Sequence, residues 1–79
     1  MIDEKLKIEF KGLLSKEGMK MTSARLAVLD NILSSDEHRE CEEIFNALIK
    51  KKIKISRATT YRTLDVLVKH DYIRKLDIG

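Results

Sequence analysis

Seventy-nine residues, of which 43% are hydrophobic and 37% charged, with three glycines and no proline, suit one small globular domain. This composition excludes collagen-like, proline-rich and disordered classes. Sixteen basic against thirteen acidic residues leave a net charge of +3, which favours an anionic partner without identifying one. Cys41 is the single cysteine, so an internal disulfide or CxxC metal knuckle is excluded and a reducing compartment is implied. No apolar run approaches the roughly 18 residues of a membrane span. Met1-Ile2-Asp3-Glu4 also lacks the layout of a signal peptide. The expectation is a soluble, cytoplasmic protein without a membrane partner.

The first predicted helix begins at Asp3, with Leu6, Phe10, Leu13 and Leu14 at helical spacing, and stops at a left-handed Gly18. Thr22 is the N-cap of a second helix that runs to about Leu33 and buries Leu26, Leu29, Ile32 and Leu33. Ser34 to Glu37 form a turn. A third helix spans about Cys41 to Lys51, with Ile44, Phe45, Leu48 and Ile49 inward and Glu42 and Glu43 complementing its positive end. Lys52 to Ile55 is a short connector. Ser56 caps a fourth helix, about Arg57 to His70, in which Thr60, Leu64 and Leu67 face the core and Arg57, Tyr61, Arg62 and Asp65 face away. Tyr72 to Asp77 alternates as a strand does, and Gly79 would open a hairpin turn. His38-Arg39-Glu40 could supply a short partner strand.

The fold expected is mainly α: a winged helix-turn-helix of four helices followed by a short, incomplete β wing, all in a single domain over residues 1–79. Charge is unevenly placed. Asp36, Glu37, Glu40, Glu42 and Glu43 cluster ahead of a basic second half carrying Lys50, Lys51, Lys52, Lys54, Arg57, Arg62, Lys69, Arg74 and Lys75. Such asymmetry would turn one face toward phosphate, although the Lys50 to Lys52 run alone also reads as ordinary helix-end solvation. A helix offering Tyr and Arg near its N-terminal end can enter a DNA major groove. There Arg pairs bidentately with guanine and an aromatic ring touches a thymine methyl.

Set together, Gly18-Met19-Lys20-Met21-Thr22-Ser23-Ala24-Arg25 and Ala58-Thr59-Thr60-Tyr61-Arg62 resemble the N-terminal DNA-binding domain of the ferric uptake regulator family. There, Gly-x-[Lys/Arg]-x-Thr-x-x-Arg opens the second helix and Ala-Thr-[Val/Ile]-Tyr-Arg lies on the recognition helix. The resemblance implies base contacts by Tyr61 and Arg62, a minor-groove contact by Lys20, and phosphate contacts by Arg25 and Thr59. With the capping Thr22 and Ser56 and the outward Arg57, these form the candidate DNA-binding set. Three positions depart from the family pattern: Ala24 for proline, Thr60 for an aliphatic residue, and Asp71 for glycine. Asp tolerates the left-handed conformation, and the Thr60 hydroxyl could bond back to a helical carbonyl.

The resemblance further implies a metal-responsive repressor that acts as a homodimer on an A·T-rich palindromic operator. Family members carry iron, zinc or manganese in a dimerising C-terminal half that this chain does not reach. His38 matches the one regulatory-metal ligand the family places in its N-terminal half, but its partners are not in this sequence. No cofactor is expected in the chain as it stands, and the isolated chain is expected to be monomeric.

His38 and Cys41, with Glu42, could be imagined as a metal site. Two soft ligands fall short of the usual four of zinc, so a structural cysteine and a surface histidine are the simpler reading. His70 is explained by the helix dipole alone. Catalysis has little support, for lack of a Gly-rich phosphate cradle or a nucleophile and base pattern. Tyr61 has its own rival role as a ring packed on the core edge. For the whole chain the rival reading is a winged-helix protein-interaction module that does not bind DNA.

Overall fold

The computed structural model describes residues 3–34 and 41–70, which form four helices in sequence: α1 (Glu4–Lys16), α2 (Ser23–Leu33), α3 (Cys41–Lys50) and α4 (Arg57–Lys69). Three of them start where a short polar side chain takes up an amide left without a helical acceptor. The Asp3 carboxylate accepts from the Leu6 amide at 2.8 Å, the Thr22 hydroxyl from Arg25 at 3.2 Å and the Ser56 hydroxyl from Thr59 at 3.0 Å.

Helices α1 and α3 terminate alike. In α1 the Met19 amide reaches back to the Leu14 carbonyl and the Gly18 amide to Ser15, with Gly18 at φ +71°. In α3 the Ile53 amide reaches Leu48 and the Lys52 amide reaches Ile49, with Lys52 at φ +62°. Both are Schellman closures, and the residues that follow the turns, Met19 and Ile53, pack on the core. The second was not visible in the sequence, because a lysine stands where glycine usually marks the left-handed position.

Each helix contributes to one core: Phe10 and Leu14 from α1, Val28 and Leu29 from α2, Cys41, Ile44 and Leu48 from α3, and Leu64, Val66 and Leu67 from α4. Thr60 and Thr63 are also fully buried. Their hydroxyls donate back to the carbonyls of Ser56 at 3.0 Å and Thr59 at 2.7 Å, so neither carries an unsatisfied polar group into the interior.

Three side chains, Leu33, Ile49 and Tyr61, depart from the sequence expectation. Leu33 and Ile49 are exposed, at 43% and 45%, because each lies at the edge of its helix's apolar arc. Tyr61 is half-buried and packs against the core rather than turning fully away, since it stands at the boundary between the buried face and the outer arc of its helix. The expected strand over 72–77, its partner at 38–40 and the Asp71 cap lie outside the described residues. No helix among the described residues is long and apolar enough to cross a membrane.

Candidate nucleic-acid interface

Successive helical residues are offset by about 100°, so with Thr60, Thr63, Leu64 and Leu67 inward, Arg57, Tyr61, Asp65, Ala58, Lys69 and Arg62 occupy one continuous outer arc of α4. Arg57 and Tyr61 form the edge nearest α3. Arg62 forms the other edge and shares a shallow hollow with Glu17, Met19, Asp65, Val66 and Lys69. Two neighbouring elements therefore border the arc: the start of α3 and the α1–α2 turn.

At the α3 edge, Glu42 binds the exposed Arg57 and the half-buried Tyr61. The Arg57 Nε donates to the two Glu42 carboxylate oxygens at 2.7 and 3.1 Å, its terminal nitrogen lies 2.5 Å from Oε1, and the Tyr61 hydroxyl donates to Oε2 at 3.0 Å. The guanidinium also stands over the Phe45 ring, 4.8 Å from its centroid. The Arg57 hydrogen bond, followed by that of Tyr61, holds the Glu42 carboxyl below the ordinary carboxylate range. In return, hydrogen bonding to Glu42 raises the Tyr61 phenol and keeps it a donor. The sequence had suggested Glu42 as a dipole partner or a member of an imagined metal site, not as a partner of α4. Its links to residues 15 and 19 positions away left no local signal.

At the other edge, Lys20 is exposed on the α1–α2 turn beside a second hollow lined by Lys11, Ser15, Met19 and Met21. Arg25 folds back so that its guanidinium donates to the Lys20 carbonyl, while its Nε is buried without a hydrogen-bond partner. The turn that presents Lys20 is thus held by Arg25. The Thr22 and Ser56 hydroxyls are occupied in capping, and Ser56 additionally donates to the Thr59 hydroxyl at 2.9 Å. The structure thus places Arg57, Tyr61 and Arg62 on one helix face, and Lys20, Thr22 and Arg25 around the start of α2.

Cys41 is buried, and no group of three His, Cys, Asp or Glu able to hold a metal occurs among the described residues. His38 lies outside them. The residues in view do not fit a metal centre.

Comparison with known proteins adds a family assignment. A model of the ferric uptake regulator family matches residues 16–79. The chain is 34% identical over 69 residues to the ferric uptake regulation protein of Synechococcus elongatus, covering 84% of this chain and 46% of the relative. It is 35% identical over 66 residues to the peroxide-responsive repressor PerR of Staphylococcus epidermidis, covering 84% and 44%. The ferric uptake regulation protein of Rhizobium leguminosarum is 30% identical over 66 residues, covering 76% and 46%. No solved structure matches. The chain spans a little under half the length of these relatives. The family match takes in α2, α3 and α4 together with the motif on the α1–α2 turn and the motif on α4, and the chain belongs to the ferric uptake regulator family.

Proposed function

We propose that this chain is the DNA-reading head of a metal-responsive transcriptional repressor, with α4 lying in the major groove. The observation that carries the reading is the outer arc of α4. It offers Arg57, Tyr61 and Arg62 from a Ser56-capped helix start while the opposite face is committed to the core. Arg62 and Tyr61 read base edges, Thr59 and the capped helix start approach phosphate, and Lys20 enters the adjoining minor groove from the turn that Arg25 steadies. Arg25 also contacts phosphate through its remaining donors. The fold in this reading is a winged helix-turn-helix with an incomplete wing, in a single domain over residues 1–79. Metal sensing and pairing into a homodimer on an A·T-rich palindrome are assigned to the remainder of a full-length relative, with His38 as one ligand of its iron, zinc or manganese.

Fluorescence anisotropy with an A·T-rich palindromic duplex and a scrambled duplex, at two salt concentrations, tests the reading. Expected are a preference for the palindrome and a steep loss of affinity with salt, because neutralised phosphates release counterions. Binding that is absent, or indifferent to salt, would favour the protein-interaction rival.

A further inference from the structure

A carboxylate on a phosphate-facing surface opposes binding, and Glu42 sits beside the arc of α4 that this reading turns toward DNA. It is not there to hold the core together. The Arg57 and Glu42 side chains are 62% and 39% exposed, and ion pairs so placed contribute little to stability. What the contact does is restrict two side chains. The Arg57 guanidinium is gripped through Nε and a terminal nitrogen and laid over Phe45, while Tyr61 is pinned through its hydroxyl.

We propose that Glu42 is a positioning residue that sets the specificity of the DNA-reading surface, by fixing the Tyr61 ring for base contact and withholding Arg57 from phosphate on non-cognate DNA. The proposal rests on the assignment of α4 as the DNA-contacting helix. Non-cognate affinity comes almost wholly from cations meeting phosphates, and arginine pairs bidentately with phosphate as readily as with carboxylate. An arginine held by a neighbouring carboxylate is therefore subtracted from non-specific binding. A tyrosine ring already oriented loses less rotational freedom when it meets a base. Both effects widen the ratio of cognate to non-cognate affinity, and that ratio is what specificity consists of.

The test compares the unaltered chain with Glu42→Gln, Arg57→Gln and the double variant. The probes are a duplex that the unaltered chain selects from a randomised pool and a scrambled duplex of the same composition, each titrated across a salt series. Glu42→Gln keeps the side chain's size and one acceptor oxygen but removes the charge and the second oxygen that hold Arg57. It is expected to bind the scrambled duplex several-fold tighter, with a log–log salt slope steeper by about 0.9 for one added phosphate contact, and to lose several-fold in discrimination. Adding Arg57→Gln should return the slope to its original value, and Arg57→Gln alone should leave the slope unchanged. If Glu42→Gln leaves both the scrambled affinity and the slope as they were while the unaltered chain binds DNA, Glu42 is only a surface tie and the proposal fails. Should Glu42→Gln not fold by circular dichroism, a shallower slope in Arg57→Gln alone overturns the proposal and an unchanged slope upholds it. If the pool yields no selected duplex and binding ignores salt, the DNA-reading assignment fails first, and this inference falls with it.

Discussion

Glu17 and His70, fifty-three positions apart, meet across 3.1 Å as the capping residues at the C-terminal ends of α1 and α4. Lys69 Nζ lies 3.1 Å from the same Glu17 oxygen. A carboxylate at the C-terminal end of a helix opposes that helix's dipole, so the basic end of α4 supplies what α1 cannot. The contact fastens the end of α1, and with it the Gly18 turn leading to Lys20, to the far end of the helix that presents Arg62.

This contact gives the fold a pH signature. Hydrogen bonding to His70, then to Lys69, holds the Glu17 carboxyl below the ordinary carboxylate range. A carboxyl lowered on folding contributes its full stabilisation above the unfolded value of about 4.3, and loses it as pH falls through the folded value. Glu17→Gln should therefore melt below the unaltered chain at pH 7, and the two melting temperatures should converge as the pH is taken below about 4. A gap of the same size at pH 3 and pH 7 would show that the lost contact was packing, not charge.

The two Schellman turns predict opposite responses to exchanges involving glycine. Gly18 needs its positive φ, although a Cβ there would meet nothing within 4 Å, so Gly18→Ala is expected to cost about 1–2 kcal/mol from conformation alone. Lys52 already bears that conformational strain at φ +62°, and Lys52→Gly should gain up to about 1 kcal/mol. Gly12, inside α1 with open space around it, has no such need, and Gly12→Ala should stabilise by about 0.5–1 kcal/mol. Urea unfolding of the three variants, followed by circular dichroism, measures all three signs.

Helix α1 joins the core through Phe10 and Leu14, both fully buried. Phe10→Ala should cost about 3–5 kcal/mol, a large share of the stability of so small a domain. Ile8, on the same helix but 68% exposed, should tolerate alanine within about 0.5 kcal/mol. Comparable losses at both positions in chemical denaturation would mean that the outer face of α1 is covered in solution.

What could be read from the sequence was what acts over one helical turn. Thr22 and Ser56 announced their caps because the bonded amide lies three positions on, Asp3 announced only the start of its helix, and Gly18 announced its turn because few other residues adopt positive φ readily. Apolar spacing found the centre of each buried face but overran its edges, at Leu33 and Ile49, where neighbouring helices stop covering the surface. The Thr63 hydroxyl escaped notice because a polar residue satisfied by its own helix looks solvent-facing in a pattern of apolar spacing. Glu42 and Glu17 were beyond reach for a further reason. Their partners are brought in by the packing of α3 on α4 and of α1 against the end of α4, which spacing along one helix does not encode. The motif residues Tyr61 and Arg62 were legible as types, whereas the arrangement that ties Tyr61 to α3 and leaves Arg62 beside the α1–α2 turn was not.

That division between Tyr61 and Arg62 yields the last prediction. Arg62 is exposed on the edge of the arc away from Glu42, next to Met19 and Asp65, so its guanidinium can turn into a groove without first leaving the Glu42 carboxylate. A bidentate pair with guanine is worth about 1–3 kcal/mol of discrimination. Arg62→Ala should therefore reduce the preference for a selected over a scrambled duplex by that amount, with a smaller loss on the scrambled duplex, where only a phosphate contact disappears. Tyr61→Phe keeps the ring but gives up the bond to Glu42, and it should weaken selected binding less than Tyr61→Ala does. Anisotropy titrations at one salt concentration rank the three variants. An Arg62→Ala loss that is equal on both duplexes would make Arg62 a phosphate contact and leave the reading of bases to Tyr61.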